Sequence, residues 1–278
     1  MITVRDLTYY PVKGCAGTSV DSARVLGTGL EHDRTFMVVG AADGAFRSQR
    51  THPVMAAVRV EVLDDGAALA LSAEGFGALR LDVDRDGPRR EVSMFGRPLG
   101  EAVDQGDAAA QWFSDALGAR SRLVRVAPGF DRDGWGDTPG KVNFADAHAV
   151  LVASTASLDH LNARITARGD AEPVPMNRFR PNIVLTGDDA PHFEDRVRRM
   201  TIGGVELAHS VRAMRCAVPM VDQSTGHRAG PEPIRTLSAY RREPEYRNKV
   251  SFGAKNAVVC EGVLRVGDVV EVAEWLDA

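Results

Sequence analysis

The chain has 278 residues, which at about 150 residues per domain allows two compact cores. With 44% hydrophobic and 26% charged residues it has a globular composition, which excludes a disordered tail, a collagen-like fibre and a disulfide-dense scaffold. Its formal charge of -4 supplies no global basic field, so neither nucleic acid nor an anionic membrane is expected as a partner.

In the first 100 residues, short period-two apolar runs such as 55–62 and 79–83 are broken by turn clusters such as 64–66 and 86–88, which predicts a mostly β first half. Residues 105–117 then place Ala109, Trp112, Phe113 and Leu117 at helical spacing, with Gly118 as a stop, and predict one helix. The Gly-, Pro- and Asp-rich stretch 127–141 cannot sustain a helix or a central strand and reads as a connector or surface loop. A buried-type strand at 149–153 leads into a helix capped by Ser154, running through Leu158, Leu161 and Ile165 to Gly169. Further strands are expected at 182–186, in a hairpin at 201–208 around Gly203-Gly204, after Cys216, at 257–259 and at 269–272, with a short helix at 234–241. Without regular βα alternation, this order argues against a Rossmann fold. It predicts a mainly β protein with a few helices, α+β in content, built as two β-barrel-like domains at 1–120 and 121–278.

Cys15, Cys216 and Cys260 stand too far apart for a zinc ribbon, a C-x-x-C pair or a local iron-sulfur motif, so any thiol chemistry rests on single cysteines. Cys15 and Cys260 read as buried hydrophobes. The first six residues do not begin a secretory signal, and no apolar run reaches about 18 residues, so the expected setting is a reducing cytoplasm. Gly27-Thr28-Gly29 lacks the third glycine of a dinucleotide fingerprint, since position 32 is His32, and reads as a hairpin turn. No His-Glu-x-x-His, Gly-x-Ser-x-Gly or Walker pattern is present.

Four segments place a cation or a thiol at a strand edge or turn: Tyr10-Pro11-Val12-Lys13-Gly14-Cys15, His32-Asp33-Arg34, Asn177-Arg178-Phe179-Arg180-Pro181-Asn182 and Met214-Arg215-Cys216-Ala217-Val218-Pro219. Brought together, Lys13, Arg34, Arg180 and Arg215 would surround an anion, because the guanidinium fork matches phosphate or carboxylate. Cations beside Cys216 would favour its thiolate, the form that binds a soft metal.

Through these segments, and through Ala108-Ala109-Ala110-Gln111-Trp112, Thr236-Leu237-Ser238-Ala239-Tyr240-Arg241 and Arg265-Val266-Gly267-Asp268, the chain resembles a known family over nearly its whole length. These are the MOSC-domain proteins with a preceding MOSC N-terminal β-barrel domain, of the amidoxime-reducing type. The resemblance implies a molybdenum cofactor (Mo-molybdopterin) whose metal takes one protein thiolate, at the position matching Cys216. It also implies cofactor contacts at Lys13, Gly14, Arg34, Asn177, Arg180, Met214 and Arg215, and a hydrogen-bond acceptor at Asp146. Beside Asp146, Ala147 and His148 stand where small hydroxyl residues are the family pattern, and His148 is either a packed histidine or a pocket acid. Phe252-Gly253-Ala254-Lys255-Asn256 is similar to a family segment near the metal, with its register open between Lys255 and Asn256.

The implied reaction is two-electron reduction of an N-hydroxylated small molecule, a hydroxylamine, amidoxime or N-hydroxylated base, with the metal as the reacting centre. No cluster or flavin motif is present and no residues follow Ala278 for a fused ferredoxin domain, so a separate donor of ferredoxin, flavodoxin or flavin reductase type is expected. A non-catalytic carrier of the cofactor, or a sulfur carrier using a Cys216 persulfide, draws on the same residues.

Overall fold

The structure, a computed structural model, describes residues 1–276. It is mainly β with three α-helices, α1 (Gly106–Leu117), α2 (Thr155–Arg168) and α3 (Ile234–Tyr240). In α1 the buried side chains Ala109, Phe113, Ala116 and Leu117 recur at helical spacing, and Gly118 ends the helix at φ 61°. Helix α2 opens on Ser154, whose hydroxyl accepts from the Ser157 amide; it buries Leu161 and Ile165 and stops at Gly169 with φ 73°.

The largest sheet has the order Val270–Trp275, Val197–Ile202, Val205–Met214, Lys249–Cys260, Val150–Ser154, Ile183–Thr186, Thr3–Tyr9, Thr18–Val20, with Arg242–Glu243 pairing Lys249–Cys260 off this path. Val150–Ser154 and Ile183–Thr186 run parallel, which the crossover through α2 makes possible. A second sheet orders Arg89–Met94, Arg97–Asp104, Ser121–Val126, Phe36–Gly40 and Val12–Lys13. Two three-stranded sheets complete the set, one joining Gly262–Arg265 to Ser22–Leu26 and Gly29–Leu30, the other formed by Arg59–Leu63, Ala68–Ala73 and Phe76–Asp82. Sheet membership thus departs from chain order, because the first strands of the chain pair with strands of its second half. The pairings among the described residues form open paths, so the barrel-like closure expected from the sequence is not among them.

Two separate apolar clusters pack these sheets, one around Val12, Val38, Met55, Leu69 and Phe113, another around Leu7, Val152, Leu185, Phe193 and Leu207. Three local expectations need correction. The run at 55–62 is a strand only from Arg59, because Pro53 opens a 3₁₀ turn, Pro53–Ala57. The segment after Cys216 is a 3₁₀ turn, Val218–Met220, in which Pro219 has no amide to give to a sheet. Cys260 is exposed at the end of its strand, whereas Cys15 is buried.

The stretch 127–141 is irregular, as expected, and it is pressed against the second half of the chain: at Gly136, φ 133°, an added Cβ would lie 2.4 Å from the Ser210 carbonyl oxygen. Among the described residues, no helix is long and apolar enough to cross a membrane.

Candidate functional site

Lys13 closes the short strand Val12–Lys13, which runs parallel to Phe36–Gly40, so its side chain is carried inward by a sheet edge. Its ammonium is nearly buried, donates to the Phe144 carbonyl at 2.8 Å and forms an ion pair with Asp146. Burial pushes the Lys13 value down, and the Asp146 carboxylate offsets part of that. For Asp146, withdrawal from bulk water acts upward, but Lys13, Lys255 and Arg34 outweigh it and hold the carboxyl far below the usual range.

Arg34 and Arg180 both adopt positive φ, 48° and 57°, which turns their side chains off the ends of neighbouring segments. Both guanidiniums stack on the Tyr10 ring, with Cζ at 4.6 and 4.2 Å from its centre. Arg34 also donates to Asp33 at 2.5 Å and to Asn182 at 3.0 Å. Arg180 donates to Gln223 at 3.1 Å, and its second terminal nitrogen is buried with no partner. Burial pulls Arg180 down to about 10. Arg215 follows the long strand Val205–Met214; it donates to the Phe179 carbonyl at 2.6 Å and leaves its Nε buried and unpaired.

These side chains meet at one cavity. Lys13, Gly14, Arg34, Asp146, His148, Arg180, Met214, Arg215 and the exposed Cys216 all line it. Ala147 and Asn177 do not. Ala147 is buried, with its carbonyl accepting from the Trp135 amide, and Asn177 borders a second cavity that shares Arg180 as a wall. His148 lines the site, but burial and Lys255 push it down to about 4, so at neutral pH it is a neutral imidazole and not an imidazolium acid. Lys255, on strand Lys249–Cys260, lines the cavity and is lowered by burial to about 8, which leaves it protonated yet poised near neutrality.

Within 252–256, Lys255 lines the cavity and Asn256 does not. Phe252 is buried and stacked on Phe179 at 3.8 Å, and Asn256 is buried. Gly253 sits at φ 79°, where a Cβ would lie 2.6 Å from the Val152 carbonyl oxygen.

The sequence reading missed the stretch Phe46-Arg47-Ser48-Gln49-Arg50 and the hairpin residue Phe95, all of which line the cavity. The only available signal was a pair of arginines in an otherwise short polar turn. Gln49, buried, ties this stretch to the segment after Cys216 through reciprocal amide bonds with Gln223 at 2.9 and 3.1 Å.

The charge balance of the cavity is one-sided. Lys13 and Arg34 have carboxylate partners, but among the described residues no carboxylate lies within 4.0 Å of Arg47, Arg50, Arg180, Arg215 or Lys255. Arginine does not shed its proton at ordinary pH, so this arrangement is built to hold an anion.

Residues 1–120 match the MOSC N-terminal beta barrel domain, and residues 139–271 match the MOSC domain. Mitochondrial amidoxime reducing component 2 of Bos taurus is 32% identical over 96% of this chain and 82% of its own length. Mitochondrial amidoxime-reducing component 1 of Mus musculus is 31% identical over 96% of this chain and 81% of its own. Molybdenum cofactor sulfurase of Oryza sativa subsp. japonica is 30% identical over 91% of this chain, which spans 32% of that protein. The chain therefore belongs to the family of proteins that join a MOSC N-terminal beta barrel domain to a MOSC domain.

Proposed function

We propose that the chain binds a molybdenum cofactor in this cavity and reduces N-hydroxylated small molecules. The observation that carries the reading is the set of unpaired cations, with buried orphan nitrogens on Arg180 and Arg215, around an exposed Cys216 thiol. That donor set fits a cofactor with an anionic phosphate end, a polar pterin and a metal open to a thiolate. Cys216 would be the metal ligand. Lys13, Gly14, Arg34, Arg180 and Arg215 would hold the phosphate and pterin, with Met214 alongside and Asp146 accepting from pterin donors.

When bound, the cofactor supplies the two-electron chemistry that removes the N–O oxygen, as R–NHOH + 2e⁻ + 2H⁺ → R–NH₂ + H₂O. The chain's own residues do the rest. Asp33 and Asn182 fix the Arg34 fork, and Tyr10 gives Arg34 and Arg180 a common platform, so the cationic wall is in place before any ligand arrives. Lys255 holds a proton at Nζ near neutral pH and takes the acid role for which His148 is unsuited. Electrons come from a separate donor, of ferredoxin, flavodoxin or flavin reductase type, and chain and donor share the cytoplasm in this reading.

The test is the molybdenum and pterin content of protein purified from a host that makes molybdopterin, for wild type and Cys216→Ala. Near-stoichiometric metal in the wild type, lost or spectroscopically altered in the variant, is the expected result. Cofactor that passes to an acceptor apoenzyme without any turnover would favour a carrier. Cyanide-labile sulfur on Cys216 with no molybdenum would replace the reading with a persulfide carrier.

A further inference from the structure

At the cavity mouth, the hairpin between Arg89–Met94 and Arg97–Asp104 pairs Met94 with Arg97, which leaves Phe95-Gly96 as a two-residue turn. Both turn residues have positive φ, 55° and 74°. Such turns favour Asn-Gly, Asp-Gly or Gly-Gly, because a bulky side chain at positive φ is strained. Phenylalanine is therefore a poor choice for the turn itself. Nor is Phe95 there to fill a core, since it is 49% exposed.

Its ring meets Phe46 edge to face, with centres 4.8 Å apart and planes at 66°. The Arg50 guanidinium lies 5.0 Å from the Phe95 ring centre and 5.5 Å from that of Phe46, and Lys13 Nζ lies within 6 Å of both rings. All four residues line the same cavity as Cys216. A strained, half-exposed aromatic beside a guanidinium without a carboxylate partner offers a stacking surface to a planar π system, on the ring or on the guanidinium plane. The neighbouring cations disfavour a positively charged guest.

We propose that Phe46, Phe95 and Arg50 form a specificity subsite that takes the flat, uncharged body of an aromatic N-hydroxylated substrate while its N–O group faces Cys216. This rests on the reductase reading given above. It has a further consequence for turnover: an amidoxime enters as a weak base and is mostly neutral, whereas the amidine product is a stronger base and leaves as a cation. The cationic mouth therefore discriminates against rebinding of product.

The test uses a matched pair, benzamidoxime and acetamidoxime, which share the reacting group and differ in the ring, on the cofactor-loaded protein with a chemical reductant. The ratio of kcat/KM for benzamidoxime over acetamidoxime is expected to fall about three- to tenfold in Phe95→Asn and in Phe46→Leu, the size of a lost aromatic contact. Because Asn suits the turn, Phe95→Asn is expected to keep or raise Tm; a residue needed only for packing would instead lower it. Equilibrium binding of benzamidoxime, read by ligand-observed NMR, supplies a measure independent of turnover and is expected to weaken by a similar factor, with benzamidine binding more weakly than benzamidoxime to the wild type.

An unchanged ratio together with unchanged benzamidoxime binding in both variants overturns the subsite, as does a fall in Tm for Phe95→Asn with the ratio intact. Failure of the wild type to reduce either amidoxime would count against the reductase reading, while the binding comparison would still decide the subsite.

Discussion

Two clusters of buried charge in this chain solve the same problem in opposite ways. In the second half of the chain, the buried carboxylates of Asp195 and Glu243 pair with the guanidiniums of Arg241 and Arg212, and the buried carboxylate of Glu194 beside Asp195 adds an excess of acid. Glu194 accepts from the hydroxyls of Ser154 and Ser157 at 2.7–2.9 Å, and Asp195 pairs with Arg241. Burial pushes Asp195 up to about 7 and raises Glu194 as well, so this cluster can settle its imbalance by holding protons. The cavity around Cys216 has an excess of cations, most of them arginines, and an arginine cannot settle its charge that way. A proton completes the acidic cluster, whereas the cationic one needs an anion from outside. This contrast separates a structural network from a binding site without reference to cavity size.

The strongest way to break the contrast is Arg241→Ala. Removing the cation strands Asp195 in the interior, while Glu243 keeps Arg212, and a loss of about 3–5 kcal/mol is expected in denaturant unfolding. A loss under about 1 kcal/mol would mean that the network does not hold the second half of the chain together.

A smaller effect comes from pH. The folded value of Asp195, about 7, lies above its ordinary 3.8, so the native state keeps a proton that the unfolded chain releases between those values. The contribution of this group is fully present below about pH 3.8 and is lost as pH rises through about 7, with a slope of up to about 1.4 kcal/mol per pH unit. Stability of Asp195→Asn relative to wild type should therefore improve steadily from pH 4 to pH 7. A difference that stays flat, or falls, over that window would show Asp195 to be ionised throughout.

The smallest effect sharpens the cavity side. In cofactor-free protein, inorganic phosphate at about ten times its dissociation constant should stabilise the native state by about 1.4 kcal/mol. Arg180→Met should abolish most of that gain, at a stability cost of its own of no more than about 1.5 kcal/mol, since it gives up one neutral acceptor and one stacking contact. Equal stabilisation by phosphate and by chloride at matched ionic strength would point to general screening.

Much of the fold was legible because its signals are local. The helix stops at Gly118 and Gly169, the Ser154 cap and the periodic burial of α1 follow from chain neighbours alone. Where a proline intervened, at Pro53 and Pro219, period-two apolar patterning overstated the strands. The site was legible where rare residues marked it: Lys13 is one of four lysines, and Cys216 follows an arginine in a turn-rich segment. Phe46, Arg50 and Phe95 were not, because nothing local distinguishes a phenylalanine that packs in a core from one that strains a hairpin at a cavity mouth.

By itself, then, the sequence determined a mainly β chain with three short helices, and it singled out the segments whose cations and thiol line the cavity. These depend on composition, spacing and residue type, which tertiary contacts do not alter. Tertiary structure alone decided that Thr3–Tyr9 and Ser22–Leu26 would pair with strands of the second half while Val12–Lys13 stayed with the first, that Ala147 and Asn177 would turn away from the cavity, and that Lys255 would turn toward it. It also decided which charges would be left without partners. That balance is set by distances between side chains from segments far apart in the chain, and local patterning carries no record of them.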